Sequence, residues 1–405
     1  MHNYLKVLIL FTLLLTASQC NDSKEALQHG SWKGVIHYSD AEVPFNFEIY
    51  RIGNSDSVQV TIINGEDRAI ISDAVIRRDS LIVPMFAFDI TLQAEVRGDS
   101  MSGTLIKHYR GSSVPFTAVY GKPRYEVSEK SGAAEIPEKM DLLIRYDRDN
   151  AYPAVALMKQ NENRVSGTIL SELSDFRYFE GKIEGDSLTM SSFDGVHAFL
   201  ITANKEEGLW SGSILFEEGY SEKWKQETEG EHKIRDAFGI IDLSDKKTRP
   251  DLSSFSMNGN SIETADYRGK VLMVQIFGTW CPNSWDQTKY LTANYDQWKN
   301  EGVEILAVNY EANYSEEYGK RRISYYKDKM NIDYPVLLGG RLNKEEAAEA
   351  FPFMDKILAF PTLVILDKEG YARYVHSYFT GPATGQYYEN FKIRLQEIIT
   401  ELNEE

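Results

Sequence analysis

From Trp32 to about Tyr120, apolar and polar residues alternate. The runs Val43-Pro44-Phe45-Asn46-Phe47-Glu48-Ile49-Tyr50 and Phe88-Asp89-Ile90-Thr91-Leu92-Gln93-Ala94-Glu95-Val96 are examples. A period of two is that of half-buried antiparallel strands. Turn-forming pairs punctuate the pattern at Gly53-Asn54, Asn64-Gly65, Gly98-Asp99 and Gly111-Ser112, where glycine and asparagine tolerate the backbone angles of tight turns. The stretch predicts about eight strands and no helix, which suits a small barrel or sandwich.

A second stretch, about Met140 to Thr228, repeats this pattern. Arg78-Asp79-Ser80-Leu81 is answered by Gly185-Asp186-Ser187-Leu188, and Ser102-Gly103-Thr104-Leu105 by Ser211-Gly212-Ser213-Ile214. Val43-Pro44-Phe45 stands where Tyr152-Pro153-Ala154 does. The spacing predicts a duplicated β unit of roughly 90 residues, with a polar join at Glu126 to Glu138. One large sheet structure, half from each repeat, is the alternative. Trp32 and Trp210 are the expected core aromatics of the two units.

A charged stretch, Lys225 to Lys233, reads as a boundary, and Phe238 to Leu243 as one further strand. Beyond Pro250 strands and helices alternate. Val271 to Phe277 and Val303 to Asn309 are almost wholly apolar, as buried strands are. Helical stretches follow them at Pro282 to Asn300 and Glu316 to Met330. A hairpin of Leu363 to Asp367 with Ala372 to His376 comes before an amphipathic helix, Tyr387 to Leu402, in which Phe391, Leu395, Ile398, Ile399 and Leu402 recur at helical spacing. This predicts an α/β domain with a mixed sheet. The expected organisation is residues 1–20 as a leader, 30–125 and 139–228 as related antiparallel β units, and 240–405 as the α/β domain.

Charge and cysteine content narrow the function. With 44 Lys and Arg against 61 Asp and Glu, the net charge is −17; no basic face is expected, and nucleic acid is excluded as a natural partner. There is no glycine-rich phosphate loop and no histidine spacing suited to a metal, so no cofactor is expected. Lys6 is followed by an apolar run from Val7 to Leu15, broken only by Thr12, and then by small residues and Cys20. That run is far short of the ~20 residues that span a bilayer, and it reads as an export signal. Its ending resembles the bacterial lipoprotein signal, in which the cysteine is lipidated; Gln19 departs from the small residue usual before that cysteine. An ordinary cleaved signal and an uncleaved anchor are the alternatives. The resemblance implies a cell-envelope protein, held to the membrane by its lipid and facing the periplasm or the exterior.

The only other cysteine is Cys281, between a buried strand and a helix that starts at Pro282. Unpaired N–H groups at a helix N-terminus favour thiolate over thiol, so a pKa below the ~8.5 of a free cysteine is expected. The bland alternative is a small buried hydrophobe.

The segment Asp266-Tyr267-Arg268-Gly269-Lys270-Val271-Leu272-Met273-Val274-Gln275-Ile276-Phe277-Gly278-Thr279-Trp280-Cys281-Pro282 resembles the thioredoxin superfamily. More closely, it is similar to extracytoplasmic thiol-disulfide oxidoreductases of the TlpA/ResA type. Ala307-Val308-Asn309 resembles the family's next strand, and Phe360-Pro361-Thr362 its cis-proline loop, which lies beside the reactive thiol and presents backbone to a bound chain. The resemblance implies a thioredoxin fold over about Pro250 to Glu405, with Trp280, Cys281, Ser284 and Pro361 as site residues.

The chain departs from the family at Ser284, where the resolving cysteine would stand, and at Gln287, where an acid is common; Asp286 beside it is a partial substitute. Gln275 takes the place of a buried acid. Ser284 cannot close an internal disulfide but can hydrogen-bond to the Cys281 sulfur. Three readings follow. The first is a single-thiol oxidoreductase of the cell envelope, exchanging with protein thiols or disulfides and resolved by an external thiol. The second is a redox-inactive binding module. The third is a thiol peroxidase, against which Val274 and Gly278 replace the Pro and Thr that such enzymes need.

Overall fold

The computed structural model describes residues 27–85, 88–127, 132–228, 233–243, 249–250, 252–255, 261–312, 315–354 and 356–405. The leader and Cys20 lie outside them.

The alternating stretch forms eight strands: β1 (Gly30–His37), β2 (Glu42–Arg51), β3 (Ser57–Asn64), β4 (Asp67–Arg77), β5 (Ser80–Met85), β6 (Ile90–Arg97), β7 (Ser100–Lys107) and β8 (Ser112–Tyr120). Each pairs antiparallel with the next, and β8 returns to β1 to close a barrel. Closure leaves no unpaired sheet edge. Inward positions carry the core: Trp32, Phe45, Phe47, Leu92 and Phe116 are all buried.

The second stretch builds the same object from β9 (Lys139–Ile144), β10 (Tyr152–Asn161), β11 (Arg164–Ser171), β12 (Ser174–Asp175), β13 (Phe179–Glu184), β14 (Ser187–Phe193), β15 (Ala198–Glu206), β16 (Leu209–Glu217) and β17 (Tyr220–Gln226). Pairing of β17 with β9 and of β10 with β11 closes eight of these strands, with β12 added at the end of β11. The region is therefore two barrels rather than one shared sheet. The repeat motifs fall at equivalent places. Arg78-Asp79 and Gly185-Asp186 turn β4 into β5 and β13 into β14. Gly103 faces Ala94 across the sheet as Gly212 faces Ala203. Trp32 and Trp210 are fully buried. The barrels meet through Phe193, whose ring lies 4.5 Å from that of Phe45.

Residues Phe238 to Leu243 form turns rather than a strand. After a short hairpin, β18 (Ser253–Phe255) with β19 (Ser261–Glu263), comes a domain of β20 (Val271–Phe277), α1 (Pro282–Asn300), β21 (Val303–Glu311), α2 (Glu316–Met330), β22 (Val336–Arg341), α3 (Lys344–Ala348), β23 (Thr362–Leu366), β24 (Ala372–His376) and α4 (Gln386–Glu404). The sheet order is β22-β21-β20-β23-β24, parallel across the first three strands and antiparallel across the rest. This is the thioredoxin arrangement. β20 is buried along its whole length because both faces are covered. Among the described residues no helix is long and apolar enough to cross a membrane.

Candidate functional site

β20 ends at Phe277, and Gly278-Thr279-Trp280 carries the chain to Cys281, the N-cap of α1, with Pro282 at the first helical position. Gly278 is required by space: a Cβ there would lie 2.2 Å from the Trp280 indole nitrogen. Trp280 is held by donation from its Nε1 to the Tyr310 carbonyl at 2.9 Å. Its ring also meets Phe360 edge-on at 5.6 Å.

The Phe360–Pro361 peptide is cis. The Cys281 thiol donates to the Phe360 carbonyl at 3.2 Å. The structure thus brings together Trp280, Cys281, Ser284 and the Pro361 loop, which the sequence places some eighty residues apart.

The thiol differs from expectation. The Ser284 hydroxyl and the backbone N–H groups of Asn283 and Ser284 favour the thiolate, but burial outweighs them and pushes the Cys281 thiol up from its ordinary value, with Asp194 adding to the rise. The helix N-terminus acts as foreseen; what the sequence did not reveal is how completely the sulfur is shielded from water. Neither of the two positions where an acid was expected carries one. Gln275 donates to Gln287 Oε1 at 3.0 Å and to Thr288 Oγ1 at 2.9 Å, so the two glutamines at acid positions pair with each other. Asp286 is committed elsewhere, at 2.6 Å from Arg177 and 3.3 Å from Lys289. Where a peroxidase needs Pro and Thr, Val274 is buried in β20 and Gly278 lies against the Trp280 ring.

The thiol lies in an apolar cluster of its own domain, with Ile357 and Phe360 among its members, and the second barrel covers the start of α1 beside it. Asn283 Nδ2 donates to Asp175 Oδ1 at 2.8 Å, to the Asp175 carbonyl at 3.2 Å and to Ser174 Oγ. The Gly381 N–H donates to Asp175 Oδ2 at 2.6 Å. Arg177 donates to the Pro282 carbonyl at 3.1 Å and bridges Asp286 to Asp67 of β4, which lies at 2.9 Å. Leu170 packs with Ala359 and Tyr378, on either side of the cis-proline loop. Burial and the neighbouring Asp286 raise the Asp175 carboxyl to about 6, with Arg177, Gly381 and Asn283 opposing. Nothing local in the sequence singles out Asp175 or Arg177. The one available signal was that the two repeats differ in length just before Glu180.

The first barrel also touches this domain. Asp73 accepts from Tyr325 at 3.0 Å and pairs with Lys329 at 2.7 Å, Asp89 accepts from Tyr318 at 3.0 Å, and Phe88 lies 5.8 Å from Trp285.

Comparison with known proteins places this domain. The AhpC/TSA family model matches residues 246–375. The thiol-disulfide oxidoreductase ResA of Halalkalibacterium halodurans is 30% identical over 135 residues, which is 33% of this chain and 68% of that protein. The ResA of Geobacillus kaustophilus is 27% identical over 125 residues, 30% of this chain and 63% of that one. The chain thus spans about two thirds of the length of these relatives. Among solved structures, a thiol:disulfide interchange protein of the thioredoxin family from Chlorobium tepidum aligns over 39% of this chain and 97% of its own, at 22% identity and a TM-score of 0.31.

Proposed function

The C-terminal region of this chain belongs to the ResA-type thiol-disulfide oxidoreductases, and on that premise we propose that Cys281 carries out thiol-disulfide exchange alone, with a thiol from outside the chain completing the cycle. The observation that supports this most is the placing of Cys281 at the N-cap of α1, facing the Phe360–Pro361 loop.

In the first step the Cys281 thiolate attacks a partner disulfide. One partner sulfur joins Cys281 and the other leaves as a thiolate. In the second, an external thiol attacks the mixed disulfide, restores the Cys281 thiolate and departs bonded to the first partner sulfur. The net result is exchange: one partner sulfur leaves as a thiolate, the other ends in a disulfide with the external thiol, and a second external thiol must attack that bond for the two-electron reduction to be complete. Ser284 steadies the thiolate, Trp280 walls the site, and the Pro361 loop presents backbone to the partner chain. Residues 240–405 are the catalytic domain in this reading, with 30–125 and 139–228 as the barrels that accompany it. Its setting is the bacterial cell envelope, with Cys20 as the lipid anchor and envelope protein thiols or disulfides as partners.

The burial of the thiol, which pushes its pKa up, and the Gln275–Gln287 pair favour a second reading, a binding module without turnover. Native-cell capture without reductant separates the two. Exchange predicts a partner disulfide-linked to wild type and absent from Cys281→Ser. Equal, non-covalent capture by both proteins would favour the binding module and overturn the exchange reading.

A further inference from the structure

We propose that the connection between β11 and β13, residues 172–178, is a latch that fills the groove where a partner chain would lie, so that Cys281 meets a partner only when the second barrel moves off. The purpose assigned to the latch rests on the exchange reading above; its existence does not.

Three observations carry it. The connection binds the reactive end of α1 and the Gly381 loop at once, through Asp175 and Arg177, and both of these side chains are largely withdrawn from solvent. Its contacts are hydrogen bonds of Asp175 to the Gly381 N–H and the Asn283 amide, backbone and side-chain donors open to a bound chain once Asp175 leaves, while Leu170 of the preceding β11 packs on Ala359 beside the cis-proline loop. Finally, the elongation is peculiar to the second copy. In the first barrel β3 passes to β4 through Gly65 and Glu66 alone, with Asn64 paired to Asp67. In the second, β11 stops pairing with β13 at Gly167 and continues to Ser171, where β12 folds back against it. A barrel closes without this extra segment, so its length answers to the domain it covers.

The latch also accounts for the state of the thiol. While it is closed, the buried Cys281 thiol donates to the Phe360 carbonyl and burial pushes its pKa up. Once it opens, water removes the burial penalty and leaves the N–H groups of α1 and the Ser284 hydroxyl to favour the thiolate. A partner able to hold the latch open must offer a carboxylate to Gly381 and Asn283 in place of Asp175.

The test is the alkylation rate of Cys281 by iodoacetamide in the full chain at pH 8, which reads exposure rather than turnover. Wild type should react at least about tenfold slower than the same protein unfolded in urea. Asp175→Ala and Asn283→Ala should each speed it by about tenfold or more, since each removes charge-assisted hydrogen bonds that hold the latch. Should either variant fail to fold by circular dichroism, Asp175→Asn, which keeps shape and loses charge, decides in its place. Folded variants that react no faster than wild type, or a wild type as reactive as the unfolded chain, would overturn the latch. Either result is obtained whether or not the protein exchanges disulfides.

Discussion

The β3–β4 turn and the β11–β13 connection occupy the same place in two copies of one fold, and they do different things. The first is a tight reversal at Gly65, where a positive φ of 55° is accommodated without a side chain. The second runs from 172 to 178, holds a buried aspartate and a half-buried arginine, and lies on another domain. The two also meet: Asp67, just past the short turn, pairs with Arg177, and Gly65 lies under the Tyr178 ring. The two barrels share one strand order and one pattern of closure. Several of their connections differ in length, and at this one the barrel region reaches the end of α1 that carries Cys281.

Breaking the Arg177 contacts is the severest way to test this contrast. Arg177→Ala leaves Asp67 and Asp286, 17% and 11% exposed, without their shared cation. Removing one partner of a buried ion pair costs about 3–5 kcal/mol. Calorimetry should therefore show a lower unfolding temperature, with β12 and the start of α1 losing hydrogen-exchange protection first. Unchanged stability would mean that the connection rests on the domain without holding it.

A pH series sharpens the comparison. Asp175 is raised to about 6 from 3.8, so the docked state binds its proton more tightly than the unfolded chain does. Its contribution is therefore greatest below about pH 4 and is lost as pH rises through 6, by at most about 3 kcal/mol. Asp286 and Arg177 face it and shape the curve, and Asn283 and Gly381 donate to it. His376, buried among Phe238, Tyr378 and Phe391, is pushed down to about 3. It acts in the opposite sense, since stability is lost as pH falls below about 6.5 and the unfolded imidazole takes up a proton. Wild type minus Asp175→Asn isolates the first effect. The gap between the two unfolding curves should be constant above pH 7 and below pH 4 and should shift in favour of wild type as pH falls from 6 to 4, and a gap that is constant throughout would refute the assignment.

Much of this molecule was legible in its sequence, for identifiable reasons. Alternation with turn glycines specifies antiparallel strands locally, and the repeated Asp-Ser-Leu and Ser-Gly motifs marked equivalent hairpins. The strand-to-cysteine segment and Phe360-Pro361 are local signals too, and both sides of the thiol site followed from them. What escaped was non-local. Asn283 lies next to the cysteine and yet meets residues more than a hundred positions away. Burial of the thiol outweighs the helix N-terminus, so a correct argument about that terminus led to the wrong sign. Phe238 to Leu243 has strand-like composition but runs as a turn and a bend beside β24 without pairing to it as a strand.

Equivalent glycines test the other half of the comparison, that the barrels themselves are alike. A Cβ on Gly103 would lie 2.0 Å from the Gln93 carbonyl oxygen, and one on Gly212 would lie 1.9 Å from that of Thr202. Both clashes are with backbone, which cannot rotate away. Gly103→Ala and Gly212→Ala should each cost about 1–3 kcal/mol in urea unfolding. Agreement within about 0.5 kcal/mol would support equivalence, and a large gap would mean that the barrels differ in more than their connections.

The smallest effect belongs to Glu66, in the short turn itself. It pairs with Lys159 of the second barrel at 3.4 Å, but the two side chains are 76% and 81% exposed. Water weakens their attraction, salt screens it, and holding two long side chains in one geometry consumes what remains. Such pairs contribute from nothing to about 1 kcal/mol. Glu66→Ala should therefore leave both the unfolding midpoint and the alkylation rate of Cys281 within about twofold of wild type. Its neighbour Asp67, on the same turn but inward and bonded to Arg177, should not be so tolerant. If Glu66→Ala freed the thiol as Asp175→Ala is expected to, the latch would depend on the general docking of one barrel against the other. If only Asp67→Ala frees it, the contact that matters is the chain from Asp67 through Arg177 to Asp286, which joins the short turn to the reactive end of α1.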